Sequence, residues 1–187
     1  MTSDFPVIID ANVLMQAVVR DTLLRLSEQR LFACRWSEDI VAEVRRNLIL
    51  KFGLPELRVD RLLGELRAYF PDAWVDPGYK MLVPAMTNHE KDRHVVAAAV
   101  KARAEVILTY NLKHYPEASI NPLNISARTP DEYLVSLYGI NPEVVIHTLY
   151  QQGAQLNPPR SLINVLDSLT VCGCRAFARL IRDKVDS

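Results

Sequence analysis

The chain has 187 residues, with 22 Lys and Arg against 22 Asp and Glu, and is 49% apolar and 24% charged. That describes one compact domain, or one domain with a small appendage, and excludes global disorder and collagen-like structure. The longest uninterrupted apolar run, Val95 to Val100, is six residues, far short of the ~20 that cross a bilayer. Phe5 to Ile9 lacks the basic flank of a signal peptide, so a cytoplasmic protein with no membrane partner is expected. Cys34, Cys172 and Cys174 make an odd count with no His at ligand spacing. They support neither a disulfide framework nor a zinc site and read as packing residues. Zero net charge argues against a nonspecific DNA coat, yet it suits an enzyme that meets phosphate through a bound cation.

In chain order, Val7-Ile-Ile9 is a β-branched run stopped by Asp10, and a helical pattern follows through Val13, Leu14, Ala17, Val18, Leu23, Leu24 and Leu26. Ser37-Glu-Asp caps a helix whose apolar face carries Ile40, Val41, Val44 and Leu48. A further helix is expected over 55–69, with a stripe of Leu57, Leu62, Leu63, Leu66 and Phe70. Asp92 opens an Ala/Val helix through Arg103, and Glu105 to Thr109 is a buried strand ending at Tyr110-Asn111. Helix followed by buried strand points to a parallel sheet. The composition shifts near Ser126. Beyond it, Thr129-Pro-Asp-Glu132 is a capping box and Asn141-Pro-Glu repeats the signal, with Gly139 and Gly153 as plausible helix stops. Asn157-Pro-Pro159 separates this from Leu162, Val165, Leu166 and Leu169, and then Phe177, Leu180, Ile181 and Val185. The tail is all helical.

An acid directly after a buried strand, as Asp10 is, must find water, a donor or a cation at the sheet's C-terminal edge. It can equally serve as the N-cap of the next helix. Projected at ~100° per residue, Asp92 points among Val95, Val96 and Ala99, on the buried face of its helix; the plainer reading is a first-turn acid that complements the helix dipole. Glu43 lies ~60° off the apolar arc of its helix, beside Asn47, looking either into a cleft or into solvent. Asn111 leaves the same sheet edge as Asp10. If Asp10, Glu43 and Asp92 lay about 4 Å apart, each like-charge pair would cost ~4 kcal/mol at an effective dielectric near 20. A raised pKa or a divalent cation must then offset the repulsion, and an all-oxygen set suits Mg²⁺ or Mn²⁺ better than zinc.

Four segments taken together, Ile8-Ile-Asp10-Ala-Asn-Val-Leu14, Ser37-Glu38 leading to Glu43 and Asn47, Lys91-Asp-Arg-His-Val95, and Thr109-Tyr-Asn-Leu-Lys-His-Tyr-Pro116, resemble the PIN-domain ribonucleases. The likeness is closest to the VapC-like toxins of bacterial toxin–antitoxin systems and covers about Val7 to Arg128. It implies an α/β fold, a three-layer α/β/α sandwich on a central parallel sheet, here with a C-terminal all-helical extension. The expected division is a nuclease domain over 1–128 and a helical extension over 129–187.

The resemblance further implies a metal-dependent endoribonuclease in which Asp10, Glu43 and Asp92 hold Mg²⁺ or Mn²⁺. Asn111 stands at a fourth catalytic position where many relatives carry Asp. Asn12, Arg45, Arg46, Arg93, Lys113 and His114 are candidate RNA-binding residues, although each of the basic ones also reads as an ordinary solvated charge. His89 and His94 flank Asp92 and can be cast as proton donor or RNA ligand; for His94, at ~200° from Asp92, a surface or helix-packing role is the plainer reading. Expected partners are RNA, a cognate antitoxin and a second copy of the chain as a homodimer. The apolar tail is either an interface or packed back on the core. The neutral Asn111 keeps an alternative open, a degenerate scaffold that binds RNA or a protein without cutting. Haloacid-dehalogenase-like chemistry is disfavoured because Asn12 occupies the place of its second Asp, and no glycine pattern supports a nucleotide-binding loop.

Overall fold

The computed structural model describes residues 5–185; residues 1–4 and 186–187, at the outer ends of the two expected segments, lie outside the described residues. Strands β1 (Pro6–Ile9), β2 (Ala33–Arg35), β3 (Val106–Leu108) and β4 (Ser126–Arg128) form one parallel sheet in the order β2-β1-β3-β4. Val7 pairs with Cys34 on one side and Val106 on the other, and Ile9 with Leu108. Val7, Ile8, Ile9, Ile107 and Leu108 are all fully or almost fully buried. Strands covered on both faces read as unbroken apolar runs, which is why β1 and β3 are visible in the sequence. The edge strands β2 and β4 are three residues each, Ala-Cys-Arg and Ser-Ala-Arg, and owe their conformation to pairing with those inner strands.

After β1 come α1 (Ala11–Leu14) and α2 (Ala17–Glu28), and after β2 come α3 (Glu38–Leu50) and α4 (Glu56–Tyr69). Short 3₁₀ turns occupy much of 71–92, and α5 (Arg93–Ala102) leads into β3. The short α6 (Glu117–Ile120) precedes β4, and α7 (Pro130–Ile140), α8 (Pro142–Ala154), α9 (Leu162–Val171) and α10 (Arg175–Val185) follow it. Helices flank the sheet as expected of the three-layer sandwich, with α5 packed on β1 and β3 and α2 on β2. Ser37 accepts from Ile40 N, and the Thr129–Glu132 capping box is formed in both directions.

Three local expectations are corrected. The helix expected to run unbroken from Val13 to Leu26 is interrupted at Gln16, whose backbone is extended, and the Arg20 guanidinium takes up the freed Leu14 carbonyl at 2.6 Å. In α4 Leu62, Leu63 and Leu66 pack against the core as expected, with Phe70 just beyond, but Leu57 is 84% exposed and Val59 takes the inward place near the helix start. Gly139 and Gly153 do not stop helices; they lie inside α7 and α8. Gly153 has a different use, since a Cβ there would sit 2.4 Å from the Arg160 carbonyl oxygen, and Arg160 N donates to the Gly153 oxygen at 2.9 Å. The missing side chain lets the loop before α9 fold back onto α8.

The tail folds back on the body. Leu162, Val165, Leu166, Leu169, Phe177 and Ile181 are buried, with α9 against α2 and α8 and α10 against α7 and α9. Asp131 of α7 accepts from Ala176 N and Phe177 N at 3.1 and 2.8 Å, satisfying amides of the first turn of α10. No helix among the described residues is long and apolar enough to cross a membrane. The three cysteines are free, two of them buried.

Candidate active site

Strand order reverses between β1 and β3: the chain leaves β1 for β2 on one side and β3 for β4 on the other. Such a switch point opens a crevice at the C-terminal strand ends, and the residues emerging into it are Asp10 and Thr109. Asp10 is 4% exposed. Its Oδ1 accepts from Ala11 N at 2.7 Å, capping α1. Its Oδ2 accepts from Thr109 Oγ1 at 2.7 Å, Asn12 Nδ2 at 2.9 Å and the Tyr115 hydroxyl at 3.0 Å. Helix cap and buried site acid are therefore one carboxylate with two duties. Burial raises the Asp10 pKa above its ordinary value, the Thr109 hydrogen bond opposes this, and the nearby charge of Asp92 raises it further.

Asp92 ends a 3₁₀ turn over Glu90–Asp92 with φ −114° and ψ 10°, ahead of the first residue of α5. It is therefore not on the helical phase of that helix, and extrapolating 100° per residue from it misplaces His94. The structure gathers ligand-capable atoms of Glu43, Asp92 and His94 within 4.8 Å of one another, so His94 faces the acids rather than serving as a remote packing residue. Glu43 Oε1 accepts from Asn47 Nδ2 at 3.3 Å, and His94 Nε2 lies 3.9 Å from Glu43 Oε2. His94 Nδ1 is buried without a hydrogen-bond partner. On the other flank His114 Nδ1 lies 2.5 Å from Asp92 Oδ2.

Asp10 belongs to no such three-residue group among the described residues, because its carboxylate is turned toward Thr109 and Tyr115. Tyr115 joins the two parts. Its hydroxyl donates to Asp10, and burial followed by the charges of Asp10, Asp92 and Glu43 drives its pKa far above the usual phenol value. All three acids thus act on one buried hydroxyl 105 residues along the chain from Asp10.

The remaining sequence candidates are placed as follows. Asn12 is an internal strut: its Nδ2 also donates to Thr109 Oγ1 at 3.0 Å, and its Oδ1 accepts from Tyr110 N at 3.0 Å. Asn111 is exposed, and its backbone N donates to Thr109 Oγ1 at 3.1 Å. Arg45 clamps α3 to α4 through Asp60 at 2.7 Å and Glu56, whose carboxylates hold its guanidinium firmly charged. Arg93 Nε donates to the Asn88 carbonyl at 3.4 Å, and Arg46 and Lys113 are exposed. Thr109 and Tyr115 carry the site's hydrogen bonds without having been singled out in the sequence. A tail residue also reaches this edge: Cys172 accepts from the Tyr110 hydroxyl at its carbonyl, 2.7 Å away, and its Sγ lies 3.6 Å from Gln16 Oε1.

These acidic residues can hold a divalent cation. Two carboxylates within 4.8 Å of one another repel by at least about 3.5 kcal/mol at an effective dielectric near 20, and among the described residues neither Glu43 nor Asp92 has a Lys or Arg ion-pair partner. The donor set, hard oxygens with imidazole alongside and no thiolate, fits such an ion.

The PIN domain family matches residues 6–113 and the VapC50 C-terminal domain family matches residues 130–183. A curated protein of Mycobacterium tuberculosis (strain ATCC 25618 / H37Rv), named "Putative ribonuclease VapC50", is 46% identical over 95 residues, which is 49% of this chain and 55% of that protein. The chain spans about half the length of the curated relative it matches. No solved structure matches it. With its parallel sheet, the acids at the switch point and a family match over more than half its length, the chain belongs to the PIN-domain family.

Proposed function

We propose that this chain is a metal-dependent endoribonuclease that hydrolyses RNA phosphodiester bonds, acting as the toxin of a toxin–antitoxin pair. The observation that supports the reading is the gathering of Glu43, Asp92 and His94 within 4.8 Å of one another, beside the switch point where the buried Asp10 accepts from the Tyr115 hydroxyl. Asp10, Asp92 and Glu43 hold Mg²⁺ or Mn²⁺ in this reading, with His94 beside them. Such an ion, when bound, acidifies a water and stabilises charge developing on the phosphoryl oxygens. Thr109, Asn12 and Tyr115 fix Asp10 by donating to its Oδ2, and Oδ1, with one backbone donor, keeps a lone pair for a ligand. His114 holds the Asp92 carboxylate from its other side. Exposed Arg46 and Lys113 supply charge for the RNA backbone. Residues 1–128 form the nuclease part and 129–187 an appended helical segment; the partners are RNA, a cognate antitoxin and a second copy of the chain.

A second reading, a PIN scaffold that binds RNA or a protein without cutting, is favoured by Asn111, which is exposed and neutral. Incubating the full chain with structured RNAs in Mn²⁺, Mg²⁺ or EDTA separates the two. Cutting that requires the ion and disappears in Asp10→Asn supports the enzyme. Equal RNA binding with no cutting in either ion supports the scaffold.

A further inference from the structure

Next to the acids, the ring of His114 that holds Asp92 carries a second ring on its face, which the proposed chemistry does not use. The rings of His89 and His114 are parallel, with centroids 4.0 Å apart and planes 11° from one another. His114 is half-buried and tied through Nδ1 to Asp92, whereas His89, covered by His114 on one face, is exposed as a residue. The pair is fixed by the backbone. His89 N donates to the His114 carbonyl at 3.1 Å, the buried Asn88 donates to the same oxygen through Nδ2 at 3.4 Å, and His89 Nδ1 accepts from Lys91 N at 3.4 Å.

We propose that the face of His89 turned away from His114 is a stacking platform for an RNA base beside the bond that is cut. This rests on the nuclease reading above and adds to it the residue that receives the neighbouring nucleotide. Ring nitrogens of His89 and His114 also lie with Asp92 within 4.8 Å, which raises a second cation position as the competing idea. Imidazole lone pairs lie in the ring plane, however, and two nearly parallel stacked planes do not converge on one ion; His89 Nδ1 is in addition already taken by Lys91 N. A flat ligand, by contrast, meets a ring held in place before it arrives, so little ordering cost remains. Every nucleobase offers a π face, and the exposed Lys91 and Lys113, which flank the stack in sequence, supply the cations that follow a single-stranded backbone. Because the stack ends on Asp92, a base laid on His89 is close to the acids. A platform of this kind reads a face and not an edge, so it tolerates any base and favours those that stack most strongly.

The test uses the full chain and short single-stranded RNAs carrying 2-aminopurine at each successive position. In EDTA, the native chain is expected to quench the probe at one position next to the cleavage site. His89→Ala abolishes that quenching and His89→Phe retains it. In Mn²⁺, His89→Ala raises the KM for cleavage on the order of tenfold, the worth of one base–aromatic stack, and His89→Phe restores it; Mn²⁺ affinity measured by titration stays at the native value. The platform is overturned if native protein cuts RNA while His89→Ala matches it in quenching and KM, or if His89→Ala loses Mn²⁺ affinity in place of quenching. A native chain that neither binds nor cuts any of the RNAs overturns the nuclease reading, and the platform with it.

Discussion

The sheet edge and the helical tail of this molecule are built on opposite terms. At the edge, Asp92 and Glu43 are drawn together with no Lys or Arg partner among the described residues, and Asp10 is buried within reach of the Asp92 charge, so local free energy is spent on a pocket that is uncomfortable without a ligand. In the tail, Leu166, Leu169, Phe177 and Ile181 are between 0% and 1% exposed, each contributing roughly 1.5–3 kcal/mol by leaving water. The contrast teaches that stability and chemistry reside in different parts of the chain, and that damage to one should spare the other.

The largest test of that separation is Phe177→Ala, expected to cost about 3–5 kcal/mol as a core truncation and to lower the thermal midpoint by about 10 °C, with cleavage per folded molecule little changed. Calorimetry paired with an RNA assay reads both. Asp10→Asn should do the reverse: cleavage falls on the order of 100-fold or more, while the midpoint moves only slightly because Asn caps a helix about as well as Asp. Tyr115→Phe removes one of three donors from Asp10 Oδ2, and a loss of about tenfold in cleavage is expected, as for other groups that orient a metal-binding carboxylate.

The pH dependence is subtler. The folded-state pKa of Asp10 is raised above its ordinary 3.8, so its contribution favours folding below that value and is lost as pH rises through the raised one. Ionised Asp10 therefore disfavours the ion-free fold near neutrality. The midpoint gained on adding Mn²⁺ should be greatest there and shrink as the solution is acidified. Equal gains at all pH values would remove Asp10 from the ion's surroundings. Smallest of all, Lys113→Ala should weaken RNA binding uniformly across sequences and flatten its salt dependence by about one unit of slope.

Much of this architecture was legible because burial wrote it in residue types. The inner strands are apolar runs, Asp10 interrupts one abruptly, and Ser37 and Thr129 announce their helices. What stayed hidden depends on partners distant in the chain. Ala33–Arg35 and Ser126–Arg128 become strands only through their neighbours. The 3₁₀ turn before α5 takes Asp92 off the helical phase, and with it the inference about His94. Tyr115 could not be assigned by spacing, since no local pattern links it to an acid 105 residues earlier. Arg45, attractive as a basic flank residue, is bound to two acids of the adjacent helix, a fact that only the α3–α4 pairing reveals.

One contact bears on the order in which the molecule is made. The turn at Cys172 receives the Tyr110 hydroxyl, 62 residues upstream, and rests its sulfur near Gln16, so it touches the segment after β3 and the break between α1 and α2. On a ribosome, where segments emerge N-terminal first, every acid is already outside the exit tunnel before that support is synthesised. The Tyr110 hydroxyl therefore finds its Cys172 partner only after α9 has been translated and docked, later than the acids themselves emerge.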